Sequence, residues 1–133
     1  MRREAFDGLV GDALASIPRR FRDAMQNIVI VVEDEPPADL LREMGMRPPQ
    51  TLLGLYQGTP LPHRGWDHGN VLPDRILLFQ GPLERSATVA HDLDERDLVV
   101  AIGETLIHEI GHYFGLSEAE IEEIEEKYWH GRP

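Results

Sequence analysis

The sequence predicts an α+β fold in a single domain that spans residues 1–133. Two helical patterns precede three strand-like segments, and two further helical patterns end the chain. This segregation of helices and strands is typical of α+β domains and not of alternating βαβ folds. The length of 133 residues also lies well below the roughly 200 residues at which one hydrophobic core usually divides.

The first part of the chain predicts two helices followed by a buried strand. Apolar residues recur three and four apart from Phe6 to Ile17, which predicts an amphipathic helix that ends before Pro18. A short second helix is expected at residues 19–26. The next segment, residues 28–32, is uniformly apolar and β-branched, so we expect a central strand that is buried on both faces.

The middle of the chain predicts two more strands separated by a long loop. A short helix is expected only at residues 38–44, after two consecutive prolines. Residues 52–57 are the second predicted strand, and residues 75–80 are the third. Between these strands, residues 58–74 form an irregular loop of a length that is usually functional or disordered.

The last third of the chain predicts two helices. Residues 81–95 are interpreted as a polar connection that leads to a long helix at residues 96–114. The final helix is expected at residues 117–128, because an apolar stripe recurs there within a glutamate-rich segment.

Composition limits the partners of this chain. Lys and Arg number 13 against 24 Asp and Glu, which gives a net charge of −11, and nucleic acid binding needs a basic patch. The longest aliphatic run is residues 28–32, far short of the ~20 residues of a membrane span. With no apolar leader and no Cys, we expect a cytoplasmic protein without disulfides or thiolate ligands, and we favour a monomer.

One segment carries a chemical signature. Residues 108–118 match H-E-x-x-H-x-x-G-x-x-E. Residues four apart on a helix project within ~40° of each other, so His108 and His112 can bind one small cation. Glu109 lies ~100° around the helix from His108 and is better placed to take a proton from water at the metal.

The third ligand must come from beyond this helix. Gly115 can end the helix in a left-handed turn, which would direct Glu118 back toward the cation. Residues 117–120 also match a capping box, in which Glu118 merely occupies the first helical position. The two interpretations of Glu118 are compatible, because the cap can set the direction of its side chain.

The histidine pair lies opposite the apolar arc of its helix, so it faces a cleft or solvent. A solvated pair without metal is the alternative. Other side chains carry weaker signals for oxyanion binding, carbonyl polarisation or orientation of His108, and a surface or core role is the alternative for each. These side chains are His63, His68, His91, Tyr56, Tyr113 and Glu104.

Over most of its length the chain resembles the small bacterial zincin-like metallopeptidases. The similarity covers the motif at residues 108–118 and the segments at residues 28–37, 51–62 and 72–76. It implies a reduced zincin-like fold, with a small mixed sheet of three to four strands packed on a metal-binding helix with flanking helices. It also implies that Zn²⁺ is bound by His108, His112 and Glu118, and that Glu109 is the catalytic base.

Departures from related motifs narrow the family. Metzincins share the extended spacing but usually have His as the third ligand and a Met-turn downstream. Here Glu118 is third and no Met follows position 46, so a metzincin is excluded.

The sequence therefore predicts a zinc-dependent hydrolase, a peptidase that acts on peptide or protein substrates. We expect residues 75–80 to be the sheet edge that receives an extended peptide, and the net charge to favour basic or neutral substrates. The alternative is a non-catalytic metal-binding or protein-interaction domain, in which a loop histidine closes the metal site.

Overall fold

The fold is a three-stranded sheet packed against a helix of 20 residues. The computed structural model describes residues 1–58 and 74–126. In chain order the elements are α1 (Arg3–Ser16), α2 (Arg19–Ala24), a 3-10 turn (Met25–Asn27), β1 (Ile28–Glu33), α3 (Ala38–Glu43), β2 (Gly54–Gln57), β3 (Asp74–Phe79), α4 (Gln80–Ser86), β4 (Thr88–Val89), β5 (Asp92–Leu93), α5 (Glu95–Phe114) and α6 (Glu118–Glu125).

The sheet is mixed and has the strand order β1-β3-β2. Strand β1 pairs with β3 in parallel, from Ile28 opposite Asp74 to Glu33 opposite Phe79. Strand β2 pairs with the other side of β3 in the antiparallel direction. The prediction of an α+β fold with a small mixed sheet is confirmed.

Two predictions about the sheet are wrong. Residues 28–32 do not form a central strand, because β1 lies at an edge and Val29 is 51 % exposed. Residues 75–80 do not form an edge, because β3 bonds to strands on both sides and is buried at five of its six positions. In the part of the chain that the structure describes, β2 is the other edge strand, and it is the sheet strand that α5 contacts most.

The core lies between the sheet and the helices α1 and α5. Helix α1 contributes Phe6, Val10 and Ala13, as its three-and-four periodicity predicts. Burial of each large apolar side chain stabilises the fold by about 1.5–3 kcal/mol relative to exposure. The fully buried apolar residues of α5 are Leu98, Ile102, Leu106, Ile107 and Ile110.

The segment that follows β3 is more regular than the polar connection that the sequence predicts. Helix α4 begins at Gln80, with Pro82 in its first turn, where the missing N–H of proline removes no helical hydrogen bond. The short hairpin of β4 and β5 follows, and it turns through Ala90 and His91, which have φ values of 51° and 70°.

Other predicted elements are confirmed with small shifts in their ends. Helices α1, α2, α3 and α5 occupy the expected segments, and β2 is shorter than expected. Most of the predicted loop at residues 58–74 lies outside the described residues, as does the end of the last helix. The single-domain prediction for residues 1–133 extends beyond the described residues and stays a prediction. Within the described ranges, no helix is both long and apolar enough to cross a membrane.

Candidate metal centre

Helix α5 places His108 and His112 side by side on its exposed face. Their ring centroids lie 5.0 Å apart, with the planes at 69°. The side chains are 36 % and 42 % exposed, whereas Ile107 and Ile110 on the opposite face are fully buried. The pair is therefore accessible to a cation, as the helical projection predicts.

The end of α5 reverses the chain as the sequence predicts. Gly115 has φ 75°, in the left-handed region, and the N–H of Leu116 donates to the carbonyl of Gly111. Helix α6 then begins with the predicted capping box. Ser117 Oγ accepts from the N–H of Glu120 at 3.1 Å, and the Ser117 N–H donates to Glu120 Oε1 at 2.9 Å. The bond that the Ser117 N–H donates to the carboxylate, with a smaller contribution from the Ser117 hydroxyl, lowers the pKa of the Glu120 carboxyl.

Glu118, the first residue of α6 after this cap, lies close to the two imidazoles. Its Oε2 atom lies 3.4 Å from His108 Nε2 and 3.7 Å from His112 Nε2. Ligands about 2.0–2.2 Å from a tetrahedral zinc ion are separated by about 3.3–3.6 Å; the distance from Glu118 to His108 lies in this range, and the distance to His112 is slightly longer. Two imidazoles and one carboxylate also form a donor set that Zn²⁺ favours, although Co, Mn and Ni accept it as well.

Glu109 also lies near the pair, but its environment differs from that of Glu118. Ligand atoms of His108, Glu109 and His112 all lie within 4.8 Å of one another, and this group within the described residues contains Glu109 and not Glu118. Glu109 is only 9 % exposed, and its Oε1 accepts a hydrogen bond of 2.7 Å from the backbone N–H of Tyr56. One oxygen of Glu109 is therefore committed to strand β2, whereas Glu118 contacts both histidines directly.

Tyr56 is a site residue whose main contact the sequence does not reveal. Its hydroxyl donates to Asp74 Oδ2 at 2.7 Å, and its ring packs edge-on against Tyr113 at 6.2 Å. Tyr113 is buried against Tyr56 and Phe114, which supports a core role for this tyrosine. The bond from Tyr56 to Glu109 joins a backbone amide to a residue 53 positions away, and no side-chain pattern encodes it.

A cleft of about 390 Å³ opens beside His108, between the start of β2 and the outer face of α5. The two elements converge at Gly54, where a Cβ would lie 2.6 Å from Thr105 Cγ2. The lining residues are Thr51, Leu52, Leu53, Gly54, Glu104, Thr105, His108, Glu109 and Glu125. Glu104 thus borders the cleft, and its predicted role in orienting His108 stays a prediction.

The remaining histidine candidates do not join this cluster in the described structure. His91 lies in the hairpin turn between β4 and β5, and the metal-competent group within the described residues does not include it. His63 and His68 lie outside those residues, so closure of the site by either one stays a prediction.

Comparisons with known proteins agree with this architecture. A family model described as zincin-like metallopeptidase matches residues 25–128. The fold is similar to that of a conserved hypothetical protein from T. thermophilus, with a TM-score of 0.54 and 23 % sequence identity. That similarity covers 86 % of this chain and 94 % of the other, and at this identity it is evidence for the fold alone. Among curated proteins, none matches the sequence.

Proposed function

The chain belongs to the zincin-like metallopeptidase family, and from that membership we propose that it is a zinc-dependent hydrolase that cleaves peptide bonds. The observation that carries this proposal is the convergence of His108, His112 and Glu118 beside the buried carboxylate of Glu109. A histidine pair without a carboxylate at ion-binding distance would support only a surface role.

We assign the role of metal ligands to His108, His112 and Glu118. Three protein donors are the number found in catalytic zinc sites, whereas structural sites use four. When bound, the ion supplies a Lewis acid that polarises a carbonyl group and lowers the pKa of water. The capping box holds Glu118 at the first position of α6, where its carboxylate meets both histidines.

We assign proton transfer to Glu109. Its Oε1 accepts the Tyr56 N–H, and within the described ranges no donor contacts Oε2. The second oxygen can therefore take a proton from the attacking water and deliver it to the leaving amine. Partial burial keeps bulk water from competing for the carboxylate while its neighbours keep it oriented.

We place the substrate in the cleft beside β2. Among the described residues this strand is a sheet edge: the carbonyl of Leu53, just before β2, accepts from the Phe79 N–H in β3, while the Tyr56 N–H points away from β3 toward α5. An extended peptide can pair with backbone groups at such an edge. Glu104 and Glu125 line the same cleft, which favours basic side chains in the substrate.

The proposal is tested with Glu109→Gln, measured for zinc content and for hydrolysis of a broad peptide library. The glutamine oxygen can still accept the Tyr56 N–H, so we expect zinc content to be retained and hydrolysis to be lost. Glu118→Gln is expected to lower zinc affinity. Glu122→Gln is the control: Glu122 is an exposed carboxylate on the same helix, α6, so its substitution should change neither zinc content nor hydrolysis. A wild-type protein that binds zinc but cleaves no peptide would support the non-catalytic alternative.

A further inference from the structure

Tyr56 contacts helix α5 at two points that lie one turn apart. Its backbone N–H donates to Glu109, and its ring packs edge-on against the ring of Tyr113. Residues 109 and 113 share one face of the helix because they are four positions apart. A single residue of the edge strand therefore connects the sheet to the part of α5 that carries the proposed base.

Tyr56 is in turn anchored to the central strand. Its hydroxyl donates to Asp74, the first residue of β3. Asp74 is buried, with only 3 % of its surface exposed. The backbone of Gly58 covers the same carboxyl group, since a Cβ at position 58 would lie 2.2 Å from Asp74 Oδ1 and 2.4 Å from Cγ. Asp74 has little room to move, so it offers Tyr56 a rigid acceptor.

Strand β2 needs such an anchor. It has four residues and, within residues 1–58 and 74–126, bonds to one neighbouring strand, and short edge segments open locally at low free energy. If β2 opened, the N–H of Tyr56 would leave Glu109. The freed carboxylate would then be able to turn toward the imidazoles, whose nitrogens lie within 4.8 Å of it.

We propose that the hydrogen bond between Tyr56 and Asp74 positions Glu109, by holding the Tyr56 N–H against one carboxylate oxygen and keeping this side chain a proton acceptor and not a metal ligand. Tyr56 and Asp74 are positioning residues in this scheme, because they act through Glu109 and not on the substrate. The catalytic consequence rests on the proposed function, but the mechanical claim about the Tyr56 amide does not.

The test compares two variants that each remove one side-chain hydrogen bond between β2 and β3. Tyr56→Phe removes the bond to Asp74, and Gln57→Met removes the exposed bond of 2.7 Å that Gln57 Oε1 accepts from Arg75 Nε. We expect hydrogen exchange at the residue-56 amide to accelerate about fivefold to tenfold in Tyr56→Phe, the equivalent of one hydrogen bond. In Gln57→Met this exchange rate is expected to change less than about twofold.

A second readout follows peptide hydrolysis in the zinc-loaded variants. Tyr56→Phe is expected to lower kcat with little change in KM or in zinc content, because the base is displaced while the ligands stay in place. Asp74→Asn keeps the shape of the residue with a weaker acceptor, so its exchange rate is expected to lie between wild type and Tyr56→Phe. This milder variant decides the question should Tyr56→Phe fail to fold.

Two results would overturn the proposal. Unchanged exchange at residue 56 in both Tyr56→Phe and Asp74→Asn would mean that Asp74 does not hold the amide in place. Equal acceleration in Gln57→Met would mean that any weakening of β2 has the same effect. If the wild-type protein cleaves no peptide, the proposed function fails, and the exchange rates still decide the positioning role.

Discussion

Gly111, on α5 between Glu109 and His112, faces Ile121 of helix α6 without room for a methyl group. A Cβ at position 111 would lie 2.6 Å from Ile121 Cδ1 and 2.7 Å from Cγ1, and Ile121 is fully buried. Carbon atoms pack at about 3.5–4.0 Å, so Gly111→Ala must displace Ile121 by about 1 Å. Because Ile121 lies one turn after Glu118, this displacement reaches the proposed third ligand.

The expected change in stability follows from two opposing effects. Overpacking a close-packed contact costs about 1–3 kcal/mol, whereas Ala is favoured over Gly in a helix interior by about 1 kcal/mol. The free energy of unfolding should therefore fall by about 1 kcal/mol in Gly111→Ala. Gly8→Ala on α1 is the matched control, because no atom lies within 4 Å of its Cβ position, and it should raise stability by about 1 kcal/mol.

Urea denaturation of the metal-free variants measures this contrast, and zinc titration measures its effect on the site. Zinc affinity should fall in Gly111→Ala and stay unchanged in Gly8→Ala. Adding Ile121→Val removes the Cδ1 methyl group, so the double variant should be more stable than the sum of the single changes predicts. If both alanine substitutions raise the free energy of unfolding equally, the close contact between α5 and α6 is refuted.

Three further predictions concern other parts of the fold. Ser117→Ala removes the acceptor of the capping box, so unfolding should become easier by about 1 kcal/mol and zinc affinity should fall; an unchanged affinity would show that the cap does not orient Glu118. Ala90→Gly places glycine at φ 51°, so the melting temperature should rise, and a decrease would contradict the left-handed turn. Hydrogen bonds from Arg85 lower the pKa of Glu35, and this exposed pair stabilises the fold by under about 1 kcal/mol. This stabilisation is present above the pKa of Glu35 in the unfolded chain, about 4.3, and is lost as the pH falls through the lower pKa of the folded protein. Denaturation of Glu35→Gln between about pH 5 and pH 3 should show a weaker pH dependence than wild type, and an identical dependence would contradict this assignment.

Features that depend on near neighbours in the sequence could be predicted well. Helix α5 begins within one residue of the expected position and ends at Phe114, before the left-handed Gly115. The capping box of α6 also forms as expected, because its bonds join Ser117 and Glu120 only three positions apart. Periodicity and capping are local interactions, so a single sequence contains the information that they need.

The order of the strands could not be predicted in the same way. An unbroken apolar run marks residues 28–32 as a strand, but it does not say which strands lie on either side. Strand β1 uses Ile28, Ile30 and Val32 to contact the core and leaves Val29 half-exposed, so uniform apolarity here does not mean burial on both faces. Pairing partners depend on contacts between distant segments, which residue patterns describe poorly.

In the candidate site, too, features set by neighbouring residues could be predicted, and contacts between distant segments could not. The direction of His108, His112 and Glu118 follows from helix geometry and one turn, and the structure brings these side chains together. The amide that holds Glu109 comes from Tyr56, and a backbone N–H has no signature in the sequence. Contacts between separate elements therefore determine the surroundings of the base.

All three proposed ligands lie in one short segment, residues 108–118, and the reversal at Gly115 brings Glu118 back to the two histidines. Ligand residues that are close in sequence also remain close to one another in the unfolded chain. The unfolded chain would therefore keep part of its affinity for the metal ion. A metal ion that also binds the unfolded chain raises the melting temperature less than its affinity for the folded protein suggests. Removal of metal by a chelator should accordingly lower thermal stability less than the tightness of zinc binding implies.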